Sequence, residues 1–261
     1  MPMFVMLSLS LQQGDVVEGY RLTWHWQTYI EGIRTYDEQI IRSLGYGLAA
    51  CLLQLAIGYP MAYWIAFHGG SRKSSYLFLL LLPFFVSFVL RTISWHFVLA
   101  DDGIVLGTLK GFGLLPEDFH VLATTGAVIG GLAYNFLPFM VLPLYVALER
   151  IDPALIEASY DLYASRVQAF LRVIFPLSLP GAFAGVLMTF VPASSDYVNS
   201  SVLGGTHNTM IGNVIQNQYL VAQDYPIAAA LSFTLMALLL VGIFLYARAL
   251  GTEDVLEASA R

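Results

Sequence analysis

Long apolar runs separated by short polar stretches set the pattern of this chain. Crossing roughly 30 Å of hydrocarbon takes about 20 apolar residues in a helix. Residues 44–67 and 121–148 meet that length without a charge. Residues 76–99 meet it with only Arg91 and His96 inside, 173–196 stay apolar up to Asp196, and 225–247 close the series. The pattern predicts an all-α, polytopic integral membrane protein with five full spans. The start, MPMFVMLSLSL (1–11), is apolar but too short to span, and it lacks the basic segment and cleavage site of a secretory signal. It is expected to be the outer end of a first helix whose beginning lies outside this sequence, giving about six transmembrane helices; the other reading is a loose apolar terminus.

Prolines 60, 83, 138, 143, 176, 180 and 192 lie in or at the edge of these runs. A proline removes a backbone donor and kinks a helix, a defect that membrane helices tolerate when neighbours repair the lost bonds. Bent spans are therefore expected. GAVIG (126–130) and GAFAG (181–185) are small-xxx-small pairs suited to close helix approach; the pattern alone names no packing partner.

Composition agrees with the pattern: 57% hydrophobic, 11% charged, mean hydropathy +0.69, against about a quarter charged in soluble domains. Net charge −6 gives no basic field for nucleic acid. The single cysteine, Cys51, excludes a disulfide framework or a cysteine metal site. His25, His68, His96, His120 and His207 have no metal-ligand spacing. There is no G-x-x-x-x-G-K-[ST] loop, since HGGSRKSS lacks the second glycine followed by Lys, and no G-x-S-x-G elbow. No catalytic residue or metal is assigned.

One polar island interrupts the apolar pattern, at residues 149–172. Asp152 followed by Pro153 is a helix start, a cap with proline at the first position. Over 153–163, Leu155, Ala158, Ser159, Leu162 and Tyr163 fall near one face, and Glu157 and Asp161 on another. Helices that lie on lipid usually carry Lys or Arg on the polar face. This one carries acids, so docking into a protein groove is favoured over lying on the membrane. If 149–172 is cytoplasmic, alternate threading puts Arg72, Lys73, Arg150, Arg166, Arg172, Arg248 and Arg261 inside and Arg21, Arg34, Arg42, Arg91 and Lys110 outside or near the outer ends, the bias expected of cytoplasmic loops.

The run EASYDLYASRVQAFLRVIFPLSLPG (157–181) resembles the Glu-Ala-Ala loop of ATP-binding-cassette importer permeases, written as that triplet, three residues, Gly, about nine residues and Ile-x-Leu-Pro. Glu157, Ala158 and Ser159 take the triplet's place, and Ile174, Phe175 and Pro176 stand near the closing element. PFFVSFVLRTISW (83–95), GLAYNFLPFMVLPLYVALERID (131–152) and SSDYVNSSVLGGTHNTMIGNVI (194–215) resemble the spermidine/putrescine branch of that family. Together these segments cover about residues 40–250.

The resemblance implies a type I importer permease fold and a non-catalytic subunit forming a path for polyamines across the bacterial cytoplasmic membrane. It implies as partners a dimer of cytoplasmic ATPase subunits holding the ATP and Mg, an extracytoplasmic polyamine-binding protein, and a second similar permease subunit, a heterodimer being favoured over a homodimer. It makes Glu157, Ala158, Ser159, Asp161, Leu162, Tyr163 and Ala164 the ATPase-coupling residues. Tyr163 occupies the position of the loop's usual glycine, where glycine permits positive φ: either the bend is made differently or the loop grips its ATPase in another way. The same architecture carrying sulfate or ferric iron is the alternative, and a stand-alone carrier is a further one.

The charges near the membrane bear on the path. Arg91 would sit roughly 22 Å above Tyr76 on a straight helix rising about 1.5 Å per residue. Asp196 either pairs with Arg91 as a structural bridge or faces the cationic substrate, because ammonium groups pair with carboxylates and sit over aromatic rings. Tyr197, Tyr134 and Trp95 are path candidates on the same grounds, or else interface and core aromatics. Asn135 either lines the path or bonds a carbonyl freed near Pro138.

Overall fold

In the computed structural model, which describes residues 2–14 and 19–249, the chain is mostly helical. In chain order the helices are α1 (Pro2–Ser10), α2 (Gln27–Thr35), α3 (Asp37–His68), α4 (Lys73–Leu81), α5 (Phe88–Leu99), α6 (Leu106–Gly111), α7 (Thr125–Glu149), α8 (Pro153–Asp161), α9 (Arg166–Ala169), α10 (Phe175–Ser194), α11 (Val198–Leu203), α12 (Ile211–Leu220) and α13 (Tyr225–Ala249). A π-helical turn, Phe170–Ile174, joins α9 to α10. Gln12–Gln13 and Arg21–Leu22 form one short antiparallel ladder. Arg261, counted above with the inside basic residues, lies outside the described residues.

Among the described residues, four helices are long and apolar enough to cross a membrane: Asp37–His68, Thr125–Glu149, Arg166–Ser194 and Tyr225–Arg248. The run 76–99, expected as one span, is instead two helical pieces, Gly70–Phe85 and Phe88–Leu99, bent by 90° at the break. Pro83 lies in a 3₁₀ turn ahead of the break, and Val86 is extended (φ −91°, ψ 141°). A depth for Arg91 reckoned along a straight helix is therefore superseded. The apolar start is helical over Pro2–Ser10.

The chain divides into two compact units. One comprises the chain up to Tyr46, Trp95–Val128 and the chain from Ser194; the other comprises Gly47–Ser94 and Ile129–Ala193. In the first unit α13 packs on α1, α2 and α12.

In the second unit, Cys51, Ala62 and Ala66 of α3, Met140, Val141, Leu144 and Leu148 of α7, and Ile174 and Ala182 form the core. Lipid is as apolar as leucine, so helices here associate through close packing rather than by escaping water. Glycine supplies the closeness. A Cβ on Gly181 would lie 2.4 Å from the Ala147 Cβ and 2.6 Å from the Pro143 carbonyl oxygen, and one on Gly185 would lie 2.7 Å from the Met140 sulfur. The GAFAG pair thus seats α10 on α7. Of the GAVIG pair, Gly130 faces open space.

Buried polar groups join the helices of this unit. Gln54 Nε2 donates to the carbonyls of Leu132 and Ala133 (3.1 and 3.3 Å), Asn135 Nδ2 donates to Thr92 Oγ1 (3.0 Å), and the Tyr59 and Ser178 hydroxyls bond at 2.7 Å.

Candidate functional site

The polar island folds as a helix, a turn and a second helix. Asp152 Oδ1 accepts from the Ala154 N–H at 2.9 Å with Pro153 at the first helical position, so the cap read from sequence forms. Ser165 and Gln168 make a reciprocal capping box on α9. Between them, the Ala164 N–H donates to the Ser159 carbonyl (3.0 Å) and the Tyr163 N–H to the Tyr160 carbonyl (2.9 Å). That pair of bonds is the Schellman arrangement, which needs a left-handed residue at the position after the cap. Tyr163 supplies it with φ +60°. The bend is therefore the one glycine would make, with a bulky side chain at a cost of about 1–2 kcal/mol.

The island is fastened to the second unit on its inner side. Ile151 is buried, Ile156 and Phe170 pack against the core, and Phe170 meets the rings of Tyr59 and Tyr63 edge-on at 5.8 and 5.9 Å. Lys73 Nζ bridges to Glu149 Oε2 at 2.8 Å, tying the start of α4 to the end of α7.

The expected apolar face turns outward: Leu155 is 49% exposed, Leu162 82% and Tyr163 97%. Glu157, Ala158 and Asp161 are exposed, while Ser159 and Ala164 are half-buried. Ser159 Oγ donates to the Ile156 carbonyl (2.7 Å). All seven loop residues therefore lie on one fixed, solvent-facing element.

The path candidates divide between the units. Asp196 and Tyr197, with Trp95, belong to the first; Arg91 and Tyr134 belong to the second. Asp196 lies two residues beyond the Arg166–Ser194 span. It is 8% exposed, and its Oδ1 accepts from the Asn199 backbone N–H (2.7 Å) and from Asn199 Nδ2 (3.2 Å). Burial pushes its acid up to about 6, against the opposing pull of the Asn199 and Val198 hydrogen bonds. Tyr197 is 42% exposed beside it.

The sequence reading missed the polar network around the segment that carries this carboxylate. Asn213 Nδ2 donates to the Tyr197 carbonyl (3.0 Å) and Ser201 Oγ (2.6 Å), and its Oδ1 accepts from the Met210 N–H (2.9 Å) and from Ser200 Oγ. A Cβ on Gly212 would lie 2.5 Å from the Ser195 carbonyl oxygen and 3.1 Å from that of Asp196. Asn208 donates to the Ala123 and Gly204 carbonyls (2.8 Å each) and accepts from Tyr46 (2.7 Å) and Thr125 (3.1 Å). The available signal was the density of Asn and Ser between residues 194 and 213.

Arg91 is buried. Its guanidinium stacks over Phe84 at 4.4 Å and lies 5.9 Å from the centre of Phe88, and its Nε has no hydrogen-bond partner among the described residues. With Tyr134, Trp64, Tyr76 and Pro138 it lines a mostly apolar cavity of about 590 Å³ in the second unit.

Residues 39–249 match the family model described as binding-protein-dependent transport system inner membrane component. The chain belongs to that family. This inner membrane component is 38% identical over 214 residues to the spermidine/putrescine transport system permease protein PotB of Escherichia coli (strain K12), covering 82% of this chain and 78% of that one. It is 37% identical to the PotB of Haemophilus influenzae, over 82% and 75% of the two chains. A bacterial ABC transporter involved in the import of the acidic polysaccharide alginate superposes with a TM-score of 0.70 at 20% identity, covering 97% of this chain and 88% of that one. This transport component therefore has the type I importer permease fold and is a multi-pass protein of the bacterial inner membrane.

Proposed function

We propose that this inner membrane component is the permease subunit of an ATP-driven importer of polyamines, coupled to a cytoplasmic ATPase dimer through residues 149–172. The observation that carries the coupling is the loop itself. Capped at Asp152 and Ser165 and anchored by Ile156 and Phe170, it presents Glu157, Ala158, Leu162 and Tyr163 outward. A rigid lever with an exposed apolar edge can pass a push from a partner into α7 and α10, the helices that flank it. The chain performs no covalent chemistry; ATP and Mg sit on the partner.

The substrate reading rests on the relatives, which carry spermidine/putrescine in their names, and on Asp196, a carboxylate at the end of a span. An ammonium group near it would restore the charged form that burial disfavours. Tyr197 and Trp95 are proposed as aromatic faces for the substrate in the first unit, and Tyr134 and Arg91 as path residues of the second unit, where both line the 590 Å³ cavity. An extracytoplasmic polyamine-binding protein delivers the cargo, and a second, similar permease subunit completes the path.

Uptake of labelled spermidine and labelled sulfate, measured side by side in wild type and Asp196→Ala, tests this. The proposal expects spermidine uptake that the substitution abolishes. Sulfate uptake indifferent to competing spermidine would overturn it.

A further inference from the structure

Tyr163 is held where its own chain gives it no reason to be a tyrosine. The Schellman turn after α8 demands a left-handed residue there (φ +60°), the conformation that glycine adopts freely and other residues adopt at a cost. Such strain persists when something else determines it and clusters where residues work on a partner. The two turn bonds fix the backbone, but among the described residues no contact of the side chain offsets its cost. The side chain is 97% exposed, with no ring contact and no side-chain hydrogen bond among the described residues.

The surroundings point outward too. Leu162 is 82% exposed, Val167 65% and Tyr160 46%, with the acids Glu157 and Asp161 beside them. An exposed apolar cluster rimmed by charge marks a protein contact. Within such contacts a tyrosine, rigid and amphipathic, is among the residues that carry most of the binding energy.

We propose that Tyr163 is the aromatic anchor of the contact with the ATP-hydrolysing subunit, its ring entering an apolar pocket whose mouth carries basic groups facing Glu157 and Asp161. The inference rests on the coupling reading above and adds to it the residue that selects the partner.

The test uses the full chain with the ATPase subunit that copurifies with it from native membranes, and compares Tyr163→Gly, Tyr163→Phe and Glu157→Lys. Tyr163→Gly is expected to weaken ATPase binding about 30-fold or more, while leaving the thermal midpoint of the isolated permease unchanged or higher. Tyr163→Phe should bind within about threefold of wild type, having the ring without the hydroxyl. A photoreactive phenylalanine analogue at position 163 should crosslink to the ATPase. If Tyr163→Gly binds as tightly as wild type while Glu157→Lys does not, the anchor is refuted and the docking loop stands. If neither substitution changes the affinity, or no ATPase copurifies, both readings fall.

Discussion

Asp196→Asn separates a carboxylate kept for a cation from one kept for the fold. The acid is nearly enclosed and its pKa is pushed from 3.8 to about 6 by burial, which corresponds to about 3 kcal/mol against the charged form. The sign follows from linkage: the folded state binds the proton more tightly than the unfolded chain. Below about pH 4 the group is neutral in both states and costs nothing; the penalty grows as the pH rises to about 6 and is complete above it. Asparagine keeps the oxygen that accepts from the Asn199 N–H at 2.7 Å and removes the charge, while losing the added strength of charge-assisted bonds. The net expectation is a gain of about 1–2 kcal/mol at pH 8, or about 3–6 °C in the unfolding midpoint for a chain of this size. At pH 4.5 the gain should vanish.

The assay is a thermal melt of the purified transporter in detergent at both pH values, run beside labelled spermidine uptake in proteoliposomes. Uptake by the variant should fall roughly tenfold or more, since a charge-assisted contact to the ammonium is lost. A more stable protein that transports poorly is the signature of a substrate-facing acid. A variant that melts lower at pH 8 would refute the reasoning, because the charged carboxylate would then be stabilising the fold.

The remaining expectations concern packing, capping and protonation. Spermidine uptake by wild type should decline as the pH drops through about 6, where Asp196 takes up its proton, and a pH profile flat from 5 to 8 would oppose this. Gly181→Leu should lower the unfolding midpoint by the equivalent of about 2–3 kcal/mol, because the added Cβ alone meets Ala147 at 2.4 Å; Gly130→Ala, which faces open space, should change it little. Asp152→Ala should cost about 1 kcal/mol through loss of its cap and increase hydrogen exchange across Pro153–Asp161, whereas Lys73→Met, which breaks a partly exposed pair, should cost no more than about 1 kcal/mol.

The legible parts of the sequence were those set by short-range rules. Span length follows from hydrocarbon thickness, and the Asp152-Pro153 start follows from the donors a helix leaves open; both are local. The break at Val86 was not legible. Pro83 announces a kink, but a 90° turn depends on what the two pieces pack against. In the polar island, periodicity groups Leu155, Leu162 and Tyr163 on one face but is silent on which face meets the core. Ile156 and Phe170 make that contact and leave the grouped face outward. The setting of Asp196 was the least readable: Asn199, three residues on, bonds its carboxylate, but Gly212 and Asn213 of α12, which pack on and bond the backbone around it, arrive only through the tertiary fold. Tyr163 shows the reverse: a departure from the expected glycine that would suggest a different turn, where the backbone bonds of the turn are retained and the side chain alone differs.

The most direct test of the account is ATP-dependent accumulation of labelled spermidine in proteoliposomes containing the complete transporter, with residues 155–165 either native or scrambled. Accumulation should require ATP and disappear when the loop is scrambled although the permease still inserts. Accumulation that persists with the scrambled loop, or proceeds without ATP, would contradict it.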